Sequence, residues 1–339
     1  MKDRIIYYDL LRGLAIIAVI SIHSTGIGYT FDNSSLNFNI TVIWRQLINF
    51  AVPLFIAISG FFLANKKVDS KKSYLQFIKK QVPRVLIPYL LWSVVYLGIA
   101  YLRGTPLLSL IYRLVTFSSS VPFYFILLII EYYLLLPLLQ KLGTSKGLVI
   151  AALISGLSCF LIFCFKYFTE ISLPIFVTGS APSWLIFFVL GIYLRNNTIK
   201  LNNRALILLL ISGLVLSIIE TYILYDHFND IGYSVTAVKF SSFVYSTFVI
   251  LFAFKNANRN FSKRKLLAYI GEISFGIFLS HIFFMMLIKP VMNKLLPILK
   301  DNALLYQFFL ITLTLSCCII FALITRKINK TIAVKYLGQ

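Results

Sequence analysis

The chain has 339 residues, of which 59% are hydrophobic and 13% charged, with a mean hydropathy of +0.88. Soluble domains carry about a quarter charged residues, so a soluble globule is excluded and an integral membrane protein is expected. The formal net charge of +21 would suggest a nucleic-acid partner in a soluble chain. Here its placement along the chain has a topological reason, and no nucleic acid is expected.

Ten apolar runs of spanning length follow one another, near 5–28, 40–64, 84–102, 121–140, 147–167, 174–195, 203–225, 234–254, 270–290 and 303–325. They predict an all-α polytopic fold, one membrane domain over 1–339 with no appended soluble domain. The first run is too long for a signal sequence and lacks a small-residue cleavage site, so it reads as a span. Lys and Arg set the orientation through the positive-inside bias. With the N-terminus in the cytoplasm, only Arg103, Arg113, Lys166, Lys239, Lys289, Lys294 and Lys300 fall in outside segments. Arg12 and Arg45 lie within spans, and every other Lys and Arg, including Lys2, Arg4, Arg259, Lys263 and Arg264, lies inside. An even number of spans with both termini cytoplasmic fits this bias, and the inner face is expected to attract anionic lipids.

The first run carries Asp9, Arg12 and His23. Ionisable groups are costly in a membrane helix and by default mark function. Arg12 and His23 are eleven residues apart, which on a helix is three turns plus roughly 20°, with about 16.5 Å between them along the axis. They therefore share a face. Asp9 lies three residues before Arg12, close enough to pair with it. His23 reads either as a general base for a hydroxyl or as a helix-packing hydrogen bond. Arg12 reads either as a phosphate contact near the inner interface or as a structural partner of Asp9. Gly13 beside it permits close helix approach.

The second run contains Pro53, which frees a backbone carbonyl, and Ser59–Gly60, which allows close packing. Arg45 lies toward its outer end, at a depth comparable with His23. It can stabilise developing negative charge or reach out to water. The stretch from Lys66 to Arg84 interleaves Lys clusters with Tyr74, Leu75, Phe77 and Ile78. It reads as an interfacial helix on anionic lipid, or as a phosphate-binding surface in which Lys80 and Arg84 are nearest the third span. Glu131, within the fourth run, must be protonated or paired; it can orient a His or bind sugar hydroxyls. His281, within the ninth, is a second imidazole candidate. The four Cys lie in apolar runs without metal-ligand spacing, and no metal is expected. There is no phosphate-binding glycine loop, zinc-protease motif or nucleophile elbow, and no internal repeat.

These residues resemble a known family. The opening Tyr8-Asp9-Leu10-Leu11-Arg12-Gly13-Leu14-Ala15 through His23 is similar to the D-x-x-R-G start and Arg-x10-His pattern of the acyltransferase 3 family of multi-pass membrane proteins. Val52-Pro53-Leu54-Phe55-Ile56-Ala57-Ile58-Ser59-Gly60-Phe61-Phe62-Leu63 resembles its V-P-x-F-F-x-x-S-G-Y-x-L segment. Lys80 through Arg84-Val85-Leu86-Ile87-Pro88-Tyr89 and Ser274 through His281 resemble two further stretches. Tyr124 stands where many members have Trp, and the chain resembles the stand-alone form without a fused hydrolase-like domain. The resemblance implies transfer of an acyl group, often acetyl, from cytoplasmic acyl-CoA to a hydroxyl of a cell-envelope carbohydrate or glycolipid, in a bacterial inner membrane. Residue chemistry and resemblance together lead to the expectation of His23, Arg12 and Asp9 as catalytic, Lys80 and Arg84 as donor-binding, and Arg45, Glu131 and His281 as acceptor-binding. The competing expectation is an exporter or flippase for a lipid-linked glycan, which would favour inverted repeats and broken helices at the membrane midplane.

Overall fold

A computed structural model describes residues 6–169, 173–257 and 265–339. Among them the secondary structure is helical throughout, without strands. The helices are α1 (Ile6–Ser24), α2 (Leu36–Leu47), α3 (Ala51–Leu63), α4 (Lys71–Leu102), α5 (Leu107–Val115), α6 (Tyr124–Lys141), α7 (Ser145–Phe168), α8 (Ile175–Thr178), α9 (Ala181–Asn196), α10 (Asn203–Phe228), α11 (Ile231–Ser234), α12 (Phe240–Lys255), α13 (Lys265–Glu272), α14 (Ser274–Leu295) and α15 (Ala303–Leu337). Of the inside cations read from the sequence, Lys2, Arg4, Arg259, Lys263 and Arg264 lie outside the described residues.

Nine helical segments in the described residues are long and apolar enough to cross a membrane, one of them made of α2 and α3 together. The protein is therefore an all-α polytopic membrane protein. The eighth run expected from the sequence differs from the rest. Its helix, α12, has 16 residues, roughly 24 Å of rise against a hydrocarbon core of about 30 Å. The run starts late because residues 235–239 leave helical geometry after α11, and Lys239 stands as the cap of α12. The second run is broken: α2 ends at Leu47 and α3 begins at Ala51. Pro53 has no N–H for the carbonyl of Asn49 four residues back, which is where the ladder fails. The basic stretch and the third run, separate in the sequence, form the single 32-residue α4, which continues through Pro83 and Pro88.

Polar caps fix several starts. Ser35 accepts from the Phe38 N–H, Thr144 from Gly147 and Asn202 from Ala205, each satisfying an orphan donor of a first turn. Ser70 and Ser73 form a reciprocal capping box on α4. At the other end of α3, the Gln140 amide donates to the carbonyls of Leu63 and Lys66 at 3.0 and 2.9 Å.

The chain divides into two compact units. The first holds the described residues of Met1–Phe55 and Thr198–Phe321. Within it α1 packs on α13 and α14, and α10 packs on α12 and α2. Of the most apolar window of α1, 61% is buried, against 22% for α10. Thus α1 is an interior helix, while α10 turns Leu208, Ile211, Leu216 and Ile223 outward, as a lipid-facing helix does. Two glycines draw α1 and α13 together: a Cβ on Gly13 would collide with the Leu267 carbonyl oxygen, and one on Gly271 with the Asp9 carbonyl oxygen. The second unit holds Ile56–Asn197 and Ala322–Gln339, described residues only. There α9 is the interior helix and α7 the outward one. Gly60 meets the Phe188 carbonyl and Gly191 the Ala57 carbonyl, so α3 and α9 cross with their backbones in contact.

Candidate active site

Helix α1 is unbroken from Ile6 to Ser24, so the separation worked out for Arg12 and His23 holds along a continuous axis. At its lower end Arg12 Nη1 donates to Asp9 Oδ1 at 2.9 Å, with the Arg12 side chain 28% exposed and Asp9 6%. The carboxylate is buried where α1 meets α13, and the guanidinium reaches outward from it. A short apolar helix end would leave such a pair loose. Here the Tyr7 hydroxyl donates to the Ala253 carbonyl at 2.7 Å and the Tyr8 ring stands edge-on to Phe254, tying the first turn of α1 to the end of α12.

His23 lies in the last turn of α1. The helix must end here with its last carbonyls in an apolar setting, and small hydroxyls answer that need. Ser21 donates to Ile17 O at 2.9 Å, Ser24 to Ser21 O at 2.7 Å and Thr25 to Ile22 O at 2.9 Å. The chain then tightens into a 3-10 turn over Thr25–Thr30.

The ring of His23 faces that of His281 on α14, with centroids 5.3 Å apart and planes tilted by 44°. His281 has no solvent exposure. Its Nδ1 lies 2.7 Å from the Phe278 carbonyl and 3.2 Å from that of Ile277. Carbonyls only accept, so Nδ1 carries the proton and Nε2 the lone pair. That Nε2 is buried without a hydrogen-bond partner. The charges of Arg45 and Lys289 act on His23. Arg45 is held by a hydrogen bond from its guanidinium to Asn49 Oδ1, at the break between α2 and α3. Lys289, eight residues beyond His281 on α14, escaped the sequence reading because it sits toward the C-terminal end of a span, where a Lys is expected for lipid contact alone.

The remaining candidates lie in the second unit. Lys80 and Arg84 are four residues apart on α4 and both exposed, so they share a face. Glu131 accepts from the Ala181 N–H at 2.7 Å through Oε2. It thereby supplies the cap that Ser180 does not, and it places a carboxyl at the positive end of α9. Tyr132 beside it donates to the Ala181 carbonyl at 3.1 Å.

A buried polar network also went unread in the sequence. Ser217 donates to Gln46 Oε1 at 2.8 Å, Asn49 donates to the same oxygen at 3.0 Å, and the Ser217 and Ser242 hydroxyls lie 3.0 Å apart. Lys239 Nζ, 2% exposed, donates to the carbonyls of Ser217 and Ser234 at 2.9 Å each and to the Thr221 hydroxyl. These groups join α2, α10 and α12 behind Arg45. Isolated Ser, Thr and Gln residues on different runs gave no pattern by which sequence could join them.

Taken together, the first unit offers a salt-bridged guanidinium at one end of an interior helix and, near the other end, two facing imidazoles within electrostatic reach of Arg45 and Lys289. Such a set can hold an anionic group, accept a proton and stabilise developing negative charge. Among known proteins, the acyltransferase 3 family model, described as an acyltransferase domain, matches residues 5–323. No curated protein and no solved structure matches the chain. The match runs from the start of α1 into α15 and covers every residue of the site, so the chain belongs to the acyltransferase 3 family and is a membrane acyltransferase.

Proposed function

We propose that the protein transfers an acyl group, acetyl in the simplest case, from acyl-CoA to a hydroxyl of a cell-envelope carbohydrate or glycolipid in a bacterial cytoplasmic membrane. The observation that carries this reading is the single continuous helix α1, which bears the Asp9–Arg12 pair at one end and His23 at the other. The positive-inside charge bias supports a cytoplasmic position for the N-terminal end of α1. Arg12 is then on the side where acyl-CoA is found, and its planar fork suits a phosphate or pyrophosphate. Asp9 holds the fork in place. The exposed Lys80–Arg84 face of α4 carries positive charge that attracts an anionic donor and anionic headgroups alike.

At the far end His23 takes the proton of the acceptor hydroxyl as its oxygen attacks the thioester carbonyl. The tetrahedral intermediate collapses with cleavage of the carbon–sulfur bond. The CoA thiolate leaves and recovers the proton from the imidazolium, so no oxidant, reductant or metal is needed. Arg45 and Lys289, whose charges reach His23, stabilise the oxyanion that forms between the two steps.

The test is transfer of labelled acetyl from acetyl-CoA by protein in liposomes, with a native membrane glycolipid and glycan extract as acceptor. His23→Ala is expected to lower turnover by about 10²–10⁴-fold, the usual range for a general base. Undiminished transfer by a folded His23→Ala protein removes His23 from the reaction. Movement of glycan across the bilayer without acyl-CoA, and no acylated product, would support the exporter reading instead.

A further inference from the structure

Two imidazoles stand side by side here with unspent hydrogen-bonding capacity that is complementary. A neutral imidazole has one donor and one acceptor. His281 spends its donor on the carbonyls of Phe278 and Ile277, three and four residues behind it on its own helix. Its acceptor, Nε2, is on the other side of the ring, away from that backbone, buried and without a partner. A buried polar atom left this way costs about 1–3 kcal/mol, so its orphan state demands a reason. His23 is the neighbour that can supply one. Among the described residues neither ring nitrogen of His23 makes a hydrogen bond; its ring contact is with His281. The spacing also fits. Two five-membered rings joined by an N–H···N bond of about 3 Å have centroids roughly 5 Å apart, and the observed separation is 5.3 Å with the planes tilted by 44°, so the unmade bond needs the His23 ring to turn and not the helices to approach.

We propose that His281 is the positioning residue of an imidazole–imidazole dyad, in which its Nε2 accepts a hydrogen bond from one ring N–H of His23 and leaves the other His23 nitrogen as the lone pair that receives the acceptor's hydroxyl proton. This rests on the acyl-transfer reading and deepens it by saying which imidazole is the base and what holds it. The backbone fixes the His281 tautomer, His281 fixes the His23 tautomer, and the lone pair left over on His23 is the only one of the four ring positions free for chemistry. No proton passes to His281 at any step. When His23 takes the hydroxyl proton, the resulting imidazolium keeps its second N–H on the Nε2 lone pair until the leaving thiolate recovers the proton. A buried, hydrogen-bonded Asp or Glu does this job in the triads of water-soluble hydrolases. An uncharged orienter avoids placing a permanent carboxylate in the apolar interior of a membrane protein, where an ionised group is expensive. It also explains why the two residues, 258 positions apart in the sequence, are brought ring to ring by the packing of α1 on α14.

The test compares wild type, His281→Met, His281→Gln, His23→Ala and the His23→Ala/His281→Met double variant in liposomes, with labelled acetyl-CoA as donor and the membrane extract as acceptor. Met fills the space without an acceptor of comparable strength, whereas the Gln carbonyl can accept the His23 N–H. H281M is expected to lower kcat about 100-fold with an unchanged KM for acetyl-CoA, since only proton transfer is disturbed. H281Q is expected to recover a substantial part of that loss. The double variant is expected to be no slower than H23A, because residues that act as a unit are not additive. Wild-type kcat in H281M overturns the dyad. So does an H281Q protein no faster than a folded H281M, or a further loss on adding H281M to H23A, which marks a separate structural role. Should H281M not fold, as judged by its melting transition, H281Q carries the comparison and must show a reduced kcat at constant KM. A wild-type protein that acylates nothing in the extract refutes the acyl-transfer reading itself, and the dyad falls with it.

Discussion

Gly271→Ala adds one methyl group at the place where α13 lies against α1. A Cβ there would collide with the Asp9 carbonyl oxygen and stand 2.6 Å from the Asp9 carbonyl carbon and 3.0 Å from the Gly13 nitrogen. All three are backbone atoms, so no rotamer relieves the overlap. Restoring ordinary contacts to the oxygen and carbon of that carbonyl requires the helices to part by roughly 1.5 Å. Overpacking of this kind costs about 1–3 kcal/mol, and the gain in helix propensity from Gly to Ala returns somewhat under about 1 kcal/mol. The net expectation is a loss of up to about 2 kcal/mol. Gly98→Ala on α4 is the matched control, since nothing lies within 4 Å of a Cβ built there; it should be neutral or slightly stabilising. Thermal unfolding in detergent reads both. The displaced backbone belongs to Asp9, so Arg12 moves with it, and a shift of about 1 Å at a positioning group can cost about 10²-fold in rate. Acyl transfer per folded molecule should therefore fall in G271A and not in G98A. A G271A protein that melts at or above the wild-type temperature with full turnover would refute the backbone contact between α1 and α13 as the support for the Arg12 end of the site.

Glu131→Ala removes the acceptor for the Ala181 N–H and should cost about 1 kcal/mol in detergent melting, the usual effect of losing a cap. Glu131→Gln keeps a carbonyl acceptor and should recover most of it, with transfer per folded molecule unchanged in both; a stable E131Q with poor transfer would make Glu131 an acceptor ligand rather than a cap. Lys239→Ala takes the ammonium donor from the Ser234 carbonyl and leaves the Ser217 carbonyl and the Thr221 hydroxyl with only their bond to each other, and should destabilise by about 1–3 kcal/mol. Lys239→Arg should not repair this, because a compact ammonium and not a planar fork matches three converging oxygens. Wild-type melting of K239A would show that water replaces the ammonium without loss.

The legible parts of this fold were those written in local spacing. Length of apolar runs located the spans, three-residue spacing paired Asp9 with Arg12, and Gly13 and Gly60 marked close helix crossings. The failures have equally local causes. Residues 235–239 are apolar enough to extend the eighth run, yet they leave the helix because Lys239 is drawn into a ring of oxygens from α10 and α11, partners that no periodicity reveals. The break at Asn49 lies four residues upstream of Pro53 because a proline's missing N–H is felt at the carbonyl it would have bound. Glu131 was read as needing a partner, and it has one, but a backbone N–H is a partner that every residue type offers. The sequence therefore gives no hint of which residue it will be.

His23 and His281 show where sequence reasoning stops and geometry begins. Each was a candidate by itself, on the argument that an ionisable group inside an apolar run must be justified. That argument is silent about roles, because it applies to both alike. Roles follow only from the asymmetry of their surroundings. His281 sits one turn into α14 beyond Ile277 and Phe278, with carbonyls of that turn within reach of Nδ1. His23 sits in the last turn of α1. The hydroxyls of Ser21, Ser24 and Thr25 go to the carbonyls of Ile17, Ser21 and Ile22, and not to those of Val19 and Ile20, the two within a turn behind His23 that correspond to the partners of His281. The backbone thus ties down the ring of His281 through its Nδ1 and leaves that of His23 untied, and this asymmetry is what separates an orienting imidazole from a candidate base.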